Sequence, residues 1–306
     1  MDLDVLLGGL EAKVAGILAT VPPVDEMSDP DLDDIPGQGS QKWLKIPDVV
    51  AVVFDLKSST QLGTGRHDTS TARIYKAAVE SSVAIASEFD AQFIDIQGDG
   101  GFALFWGDLR YERGLCAAVT IRTFSDELVD RFERKFPTGL PETGFKVGVA
   151  SGRVLVKQLG TPRNVDEQEA VWAGRPVNYA AKAAQSADRH EVVVTGSVWD
   201  HFEANDYVVY SCGCQSGPSA NLWTDFTIDN VPDKEKSGRR LEAGWCENCG
   251  TEFCDAIRAG ESMRTDIPDA ERHSLTLTMM ASAVAKKDRA DRAHPRNLRA
   301  LRQWTR

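Results

Sequence analysis

The sequence predicts an α+β fold in which one antiparallel sheet carries helices on one face, followed by a small cysteine-rich module. Between about residues 45 and 205, short β-branched runs alternate with longer stretches of helical periodicity. Two of these runs flank a short glycine-rich turn, which is typical of an antiparallel hairpin. Five of the six cysteines fall after residue 205, at spacings that include C-x-C and C-x-x-C. The first two observations predict the fold class, and the last predicts the additional module.

The length of 306 residues is enough for one domain of ordinary size and a smaller unit. Apolar residues predict a helix from Leu3 to Leu18, whereas the acidic, proline-containing stretch from Pro22 to Gly39 has little to bury and predicts a linker. We expect four regions, in order: an N-terminal helix (1–20), an acidic linker (21–44), the main α+β domain (45–205) and a cysteine-rich region with a basic helical tail (206–306).

Acidic residues exceed basic ones, with 46 Asp and Glu against 35 Lys and Arg and a formal net charge of −11. This balance disfavours non-specific binding to nucleic acid or to an anionic membrane, so an anionic substrate would need a local positive site or metal ions. No apolar run approaches the roughly 20 residues of a membrane helix, and Met1 precedes acidic Asp2 and Asp4 rather than a basic leader. We expect a cytoplasmic protein without nucleic-acid or membrane partners.

The first half of the main domain predicts a strand, a helix and a hairpin. The β-branched run Val49–Phe54 is typical of a strand covered on both faces, which puts Asp55 at its end. Apolar residues recur at helical spacing from Thr71 to Phe89 and predict a helix that packs on the sheet. A Gly-Asp-Gly turn follows, with Asp99 at its tip. The predicted hairpin strands are 92–96 and 101–106.

The second half repeats this alternation of helix and strand. The predicted elements are a helix with apolar residues from Leu115 to Phe136, strands 145–150 and 153–156 joined at Ser151–Gly152, a helix from Arg175 to Ala187, and a strand from Glu191 to Thr195. This order of strand, helix, hairpin, helix and strands resembles a ferredoxin-like α/β sandwich.

Two carboxylates, Asp55 and Asp99, follow strands that can be neighbours in this topology. Together they can hold a pair of divalent cations, and the polar run Lys57, Ser58, Ser59 and Thr60 could offer amides, hydroxyls and one ammonium to a triphosphate. Aspartate is also a routine turn residue that needs no function. The pairing of the two carboxylates beside a Ser/Thr loop favours metal binding over that structural alternative.

Four motifs in order resemble those of the class III nucleotidyl cyclases. They are Phe54–Thr60 (FDLKSST), Gly98–Ala103 (GDGGFA), Gly148–Val154 (GVASGRV) and Gly174–Lys182 (GRPVNYAAK). The resemblance covers about Val49 to Asp200 and leaves both ends of the chain unexplained. It implies a class III cyclase sandwich, a nucleoside triphosphate substrate and a metal-dependent cyclisation that needs no nucleophilic serine.

The resemblance also implies roles for individual residues. Asp55 and Asp99, with the carbonyl of Leu56, would hold two divalent cations, Mn²⁺ or Mg²⁺. Asn178 would orient the ribose, and Lys182 stands where the family has a transition-state arginine, so it supplies a point charge without the arginine fork. The family further implies a head-to-tail homodimer in which one subunit gives the two aspartates and the other gives Asn178 and Lys182.

The base-reading positions depart from those of the purine cyclases. Asp95 stands four residues before the second metal aspartate and Val171 seven before the asparagine, and neither matches the adenine or guanine readers. Both positions are therefore candidates for contact with a different base. The run Trp172–Asn178 with Lys182 resembles the bacterial Pycsar pyrimidine cyclases of antiphage defence. This resemblance implies that UTP is converted to cyclic UMP, a second messenger for a separate effector.

Other functions stay open at this point. A cytidylate cyclase making cyclic CMP from CTP fits the same residues, and Lys182 with the absent purine readers also fits an inactive nucleotide-binding or scaffold module. Retention of Asp55 and Asp99 favours an enzyme over that module, since a sensor does not need two catalytic ions. The final stretch, 286–306, is basic and predicts a solvated terminal helix or a partner contact.

The C-terminal cysteines predict a structural zinc site. Cys212 and Cys214 form a C-x-C pair, and Cys246 and Cys249 form a C-x-x-C-G pair, which together can close a tetrahedral site. Cys254 is a substitute ligand, and the alternative is that these cysteines are simply buried thiols. A zinc-ribbon interaction protein is a third interpretation of the chain, carried by these cysteines alone.

Overall fold

A computed structural model describes residues 1–64, 67–161, 168–215, 219–268 and Arg272. In that part of the chain the helices are α1 (Leu3–Leu18), α2 (Ser59–Leu62), α3 (Asp68–Glu88), α4 (Arg110–Lys135), α5 (Arg175–Ser186), α6 (Gly196–Phe202), α7 (Asp206–Val209), α8 (Asp233–Lys236) and α9 (Gly250–Arg258). The strands are β1 (Val24–Glu26), β2 (Trp43–Leu56), β3 (Phe93–Gln97), β4 (Gly100–Phe105), β5 (Phe145–Gly160), β6 (Gln168–Gly174), β7 (Glu191–Val194), β8 (Trp223–Thr227) and β9 (Ser237–Leu241).

One sheet joins all the strands of the described chain. Its order is β3-β4-β2-β5-β7-β9-β8, with β1 beside β2 and β6 beside β5. Most pairs are antiparallel, and the exceptions are β1 with β2 and β5 with β7. The mixed α+β class with a mostly antiparallel sheet, predicted from the sequence, is therefore confirmed.

Strand β2 lies at the centre of the sheet because its side chains are covered on both faces. Val49 to Val52 are fully buried and Phe54 is 1% exposed. The strand pairs with β4 on one side, where Phe54 faces Gly101, and with β5 on the other, where Asp55 faces Lys146. A strand that is apolar on both faces thus lies at the centre of the sheet, where neighbouring strands pair with both of its edges.

Strand β5 is one continuous strand, whereas the sequence predicted two strands joined at Ser151–Gly152. That prediction was wrong because Gly152 lies at an irregularity within the strand and not in a reversing turn. Its φ angle is +149°, and the register with β2 shifts between Ile46 and Val49. The second half of β5 pairs with β6, a strand that was not predicted. The actual hairpin is therefore β5–β6.

Helices cover both faces of the sheet, which corrects the expectation of helices on one face only. Val50, Val52 and Phe54 point into a core shared with α3, α4 and α6. Val49 and Ala51 point to the opposite face and share a second core with Ala180 of α5. Side chains alternate between faces along a strand, so one buried strand serves both layers.

The close approach of α5 to the sheet depends on Gly148 of β5. A Cβ atom at Gly148 would lie 2.0 Å from the carbonyl oxygen of Ala180 and 2.3 Å from the amide nitrogen of Ala184. The absence of a side chain lets the helix backbone rest directly on the strand. Small residues on the helix, including Ala180 and Ala183, complete this contact.

The segment expected to be a linker with little to bury is instead attached to the sheet. Within it, β1 pairs in parallel with the start of β2, and Ile35 is 8% exposed. The indole Nε1 of buried Trp106 donates a hydrogen bond to the carbonyl of Pro30 at 2.9 Å. Composition did not reveal this attachment because it depends on backbone pairing and on a few apolar residues among many acidic ones.

The cysteine-rich region predicted after residue 205 is present, but it continues the same sheet. Strand β9 pairs antiparallel with β7, and β8 pairs with β9. Trp223 and Leu241 belong to the core that α3 and α4 share with the central strands. The predicted basic tail, 286–306, lies outside the described residues.

Helix α1 has the bounds predicted from the sequence, and none of its residues is buried against the described part of the chain. Its N-cap is Asp2, whose side chain accepts hydrogen bonds from the amides of Asp4 and Val5. Among the residues described, every helix is too short or too polar to cross a membrane.

We predict that Gly148→Ala destabilises the fold by about 1–3 kcal/mol, because the added methyl group overpacks the contact between β5 and α5. Urea denaturation followed by circular dichroism measures the change. Gly39→Ala is the matched control, since a Cβ at Gly39 has nothing within 4 Å. Equal stability of the two variants would contradict this account of how α5 is seated.

Candidate active site

Asp55 and Asp99 meet at one edge of the sheet. Asp55 is the penultimate residue of β2, and Asp99 lies in the two-residue turn between β3 and β4. Gly98 in this turn has a φ angle of +68°, a conformation that glycine adopts without strain. Because β4 pairs with β2, the tip of the hairpin lies beside the end of β2. The structure thus brings together the two aspartates that the sequence singled out.

Backbone packing at this edge leaves no room for a side chain on the residue after Asp99. A Cβ at Gly100 would lie 2.3 Å from the carbonyl oxygen of Phe54 and 3.1 Å from the Cα of Asp55. A larger residue would push the hairpin away from β2. Gly100 therefore sets the proximity of the two carboxylates.

The two carboxylates differ in their partners. Nζ of Lys146 lies 2.9 Å from Oδ2 of Asp55, whose side chain is 43% exposed. Oδ2 of Asp99 is buried and has no hydrogen-bond partner among the described residues. A buried carboxylate oxygen without a partner is costly unless a ligand satisfies it. This oxygen, next to a second carboxylate, fits a divalent cation that takes oxygen ligands.

Tyr75 of α3 also belongs to this site, although the sequence gave no signal for it. Its hydroxyl donates a hydrogen bond to the carbonyl of Ser59 at 3.3 Å. Burial raises the pKa of Tyr75, and the negative charges of Asp99 and Asp55 raise it further. Tyr75 thus joins α3 to the loop after β2, near enough to both aspartates for their charges to act on its hydroxyl.

Lys146 is the second residue that sequence reasoning missed. It lies directly opposite Asp55 in the antiparallel pairing of β2 and β5. Its position two residues before Gly148 was visible in the sequence, but the register that places it against Asp55 was not. The ammonium group of Lys146 is therefore the positive charge that pairs with the carboxylate of Asp55.

The loop after β2 holds the residues expected to contact a triphosphate. Lys57 instead forms ion pairs with Asp188 at 2.6 Å and Glu142 at 2.9 Å. Hydrogen bonds to these two carboxylates raise the pKa of Lys57. Its ammonium is therefore directed to them in the described chain. Ser58 adopts a left-handed conformation with a φ angle of +61°, and Ser59 and Thr60 begin α2.

Asn178 and Lys182 lie on α5, and the structure does not bring them to the aspartates. The side-chain amide of Asn178 donates to the carbonyl of Gly174 at 3.4 Å. The ammonium of Lys182 donates to the carbonyl of Asn230. Within the described chain, the predicted site is therefore divided into two halves.

The two candidate base-contacting residues lie on separate strands. Asp95 is on β3, where one of its carboxylate oxygens accepts a hydrogen bond from Nε2 of Gln97 at 3.0 Å. Val171 is on β6 and is 40% exposed. Its neighbour Trp172 packs against Phe93 of β3, with ring centroids 4.8 Å apart. The side chains of Asp95 and Val171 are both available to a ligand, and they do not contact each other in any described interaction.

A cleft of about 440 Å³ lies at the other end of β2 and is distinct from the carboxylate pair. Its lining includes Pro47, Gly152, Arg175 and Tyr179, around the irregularity between β2 and β5. Pro47 and Asp55 are eight residues apart on the same strand, a span of about 25 Å at the usual rise. Neither Asp55 nor Asp99 lines this cleft.

The predicted zinc ligands also come together. The Sγ atoms of Cys212, Cys214, Cys246 and Cys249 all lie within 4.8 Å of one another. Cys254, the proposed substitute, lies elsewhere, because its carbonyl accepts a weak hydrogen bond from buried Cys116 of α4.

Comparison with known proteins gives close relatives along nearly the whole chain. The chain is 54% identical over 302 residues to uridylate cyclase of Propioniciclava tarda, with 98% of each protein covered. It is 50% identical over 296 residues to uridylate cyclase of Micromonospora echinofusca, with 95% of each covered. No family model matches the chain.

Solved structures show the same fold at low sequence identity. Adenylyl cyclase CyaB from P. aeruginosa aligns with a TM-score of 0.52 and 12% identity, covering 64% of this chain and 94% of that one. Guanylyl cyclase Cya2 aligns with a TM-score of 0.51 and 16% identity, covering 65% and 93%. The full-length relatives and the shared fold lead to one conclusion: this chain belongs to the uridylate cyclase family and is a nucleotidyl cyclase with the class III cyclase fold.

Proposed function

We propose that this cyclase converts UTP to 3′,5′-cyclic UMP and pyrophosphate. The observation that carries the proposal is the buried Oδ2 of Asp99 beside Asp55, which has no hydrogen-bond partner in the described part of the chain and supports a divalent-cation site at the edge of the sheet. The choice of base is supported by the relatives, which are named uridylate cyclases at 54% and 50% identity. Asp95 and Val171, where purine cyclases have different groups, are consistent with a pyrimidine.

Each residue of the site has a part in this reaction. Asp55 and Asp99, with the carbonyl of Leu56, would hold the cations, Mn²⁺ or Mg²⁺. When bound there, divalent cations lower the pKa of the ribose 3′-hydroxyl and neutralise the leaving pyrophosphate. Asn178 orients the ribose, and Lys182 offers positive charge to the α-phosphate as negative charge develops. The protein's contribution is positioning and charge stabilisation, as in other phosphoryl transfers.

The loop after β2 contacts the triphosphate through Ser58, Ser59 and Thr60. Lys57 was also expected to contact the triphosphate, but in the described chain its ammonium is paired with Asp188 and Glu142. All three side chains are solvent-accessible in part, with Lys57 27% and Asp188 61% exposed, so their pairing is weak enough to exchange. We propose that Lys57 reaches the phosphates only if substrate draws it from these partners.

A homodimer with shared sites would join the two halves that the single chain keeps apart. Asn178 and Lys182 bind carbonyls of Gly174 and Asn230, whereas Asp55 is partly exposed at an open edge. A head-to-tail arrangement of two copies would bring the α5 residues of one to the aspartates of the other. A two-fold axis would then give two equivalent sites.

The biological setting follows from the resemblance to the Pycsar group. We propose that cyclic UMP acts in the cytoplasm as a second messenger that activates a separate antiphage effector. The chain itself would then need no contact with phage components, nucleic acid or membrane, in agreement with its net charge of −11.

The first test is incubation of the purified protein with UTP, CTP, ATP or GTP, each with Mn²⁺, followed by identification of cyclic products by mass spectrometry. We expect cyclic UMP to exceed every other cyclic nucleotide. Cyclic CMP as the main product would correct the base, and cyclic AMP or GMP would overturn the inference from Asp95 and Val171. Absence of all four products would favour the inactive module.

The carboxylate pair gives a second prediction. Asp55→Asn and Asp99→Asn each keep the size of the side chain but remove a charged metal ligand, so we expect kcat to fall at least about 100-fold. Asp130→Asn is the control, since Asp130 is an exposed residue of α4. Product formation is measured over a range of Mn²⁺ concentrations. Activity within a few-fold of the control in either site variant would contradict the assignment.

Shared sites predict rescue between two inactive chains. Asp55→Ala and Lys182→Ala lie in opposite halves of the site, so half of the dimers in an equal mixture carry one intact site out of two. We expect about a quarter of the normal activity on this statistical argument. Asp55→Ala mixed with Asp99→Ala is the control, because both lesions lie in the same half and no intact site forms. Equal activity in the two mixtures, after subunit exchange, would exclude sites of this kind.

A further inference from the structure

The C-terminal region contains a cluster of four thiols that the cyclase reaction does not use. Their Sγ atoms all lie within 4.8 Å of one another. Two come from the turn after α7, Cys212 and Cys214, and two precede α9, Cys246 and Cys249. The two segments are more than 30 residues apart in sequence, and each contributes two thiols to the same cluster.

The spacing of the sulfurs suits a tetrahedral metal ion. A Zn–S bond of about 2.3 Å in tetrahedral geometry places each pair of sulfurs about 3.8 Å apart. The observed upper limit of 4.8 Å is about 1 Å longer, a difference that side-chain rotation can close. The four sulfurs also approach one another as a group, whereas disulfides would join them as two separate pairs.

The turn at Cys246 has the backbone arrangement of a metal-binding knuckle. The backbone amides of Asn248 and Cys249 donate hydrogen bonds to Sγ of Cys246. The amide of Gly250 donates to the carbonyl of Cys246 at 2.7 Å, which closes the turn. Amides directed at a sulfur stabilise the thiolate, the form that binds metal.

Simple burial does not account for these cysteines. Cys116 is the buried thiol of the chain's core, 0% exposed on α4. By contrast, Cys214 is exposed, and Cys212, Cys246 and Cys249 are partly exposed. Thiols gain little from packing at a surface, so their convergence there indicates a ligand.

The cluster joins two segments, the turn after α7 and the stretch before α9, that also make other contacts with the chain. Before the first pair, Tyr210 forms an isolated bridge with Asn221. Beside the second pair, Trp245 binds α4 through two hydrogen bonds of 2.8 Å, from its backbone amide to Thr123 and from its indole to Thr120. A metal ion at the cluster would tie the turn after α7 to the segment that docks on α4.

We propose that Cys212, Cys214, Cys246 and Cys249 bind one structural zinc ion that ties the turn after α7 to the segment docked on α4. Four thiolates complete the tetrahedral shell, so the ion has no open position for catalysis. This site is separate from the carboxylate pair and differs from it in its ligands, which are soft sulfurs instead of hard oxygens.

The test is the zinc content of the full chain, purified without chelators and measured by inductively coupled plasma mass spectrometry. We expect about one zinc per chain, falling to near zero in Cys246→Ser and in Cys249→Ser. Cys254→Ser is the matched control and should keep its zinc, because Cys254 lies outside the cluster. Asp55→Ala should also keep it, which separates this site from the catalytic cations.

A second measurement decides the matter if the serine variants fail to fold. Wild-type protein produced with cobalt in place of zinc should show the intense visible and charge-transfer absorption of tetrahedral thiolate-bound Co²⁺. A wild-type chain that contains no zinc and gives no such cobalt spectrum would overturn the proposal. A disulfide between any two of the four cysteines, found by peptide mapping under non-reducing conditions, would overturn it as well.

Discussion

The active site depends on a backbone contact between the β3–β4 hairpin and the end of β2. Gly100 allows this contact, since a Cβ there would meet the carbonyl oxygen of Phe54 at 2.3 Å. The contact presents two carboxylates at one edge of the sheet, one with a lysine partner and one with a buried oxygen that no described residue hydrogen-bonds. Neighbouring carboxylates repel each other, so the proposed cations would stabilise this arrangement together with Lys146.

The second constraint is the position of α5 on the opposite face of the sheet from α3 and α4. Gly148 lets the helix backbone lie against β5, and in the described part of the chain Asn178 and Lys182 of this helix donate to the backbone carbonyls of Gly174 and Asn230. Among the described residues these two side chains are not brought to the aspartates, which is the reason for proposing that a second copy completes the site. The contact of α5 with Gly148 thus stabilises the fold and also sets where Asn178 and Lys182 would face a partner in the proposed homodimer.

Charge is distributed locally in a way that the net value of −11 does not reveal. Lys146 faces Asp55, whereas Lys57 faces Asp188 and Glu142. The four clustered cysteines lie in a different part of the molecule, beyond α7 and before α9. Under the two metal-site proposals, hard oxygen ligands at one site and sulfur ligands at the other would let the same chain distinguish Mg²⁺ or Mn²⁺ from zinc.

Local sequence patterns by themselves determined the helices α1, α3, α4 and α5, the strands β2, β3, β4 and β7, the turn at Asp99 and the two cysteine pairs, because periodicity and turn chemistry act within a few residues. Only the tertiary structure decided that β5 is continuous through Gly152, that β1 pairs with β2, and that α5 covers the second face. It also placed Lys146 opposite Asp55 and brought Tyr75 to the site. These features depend on strand register and on close backbone contacts between distant segments, and a shift of one residue would turn the opposing side chain to the other face of the sheet.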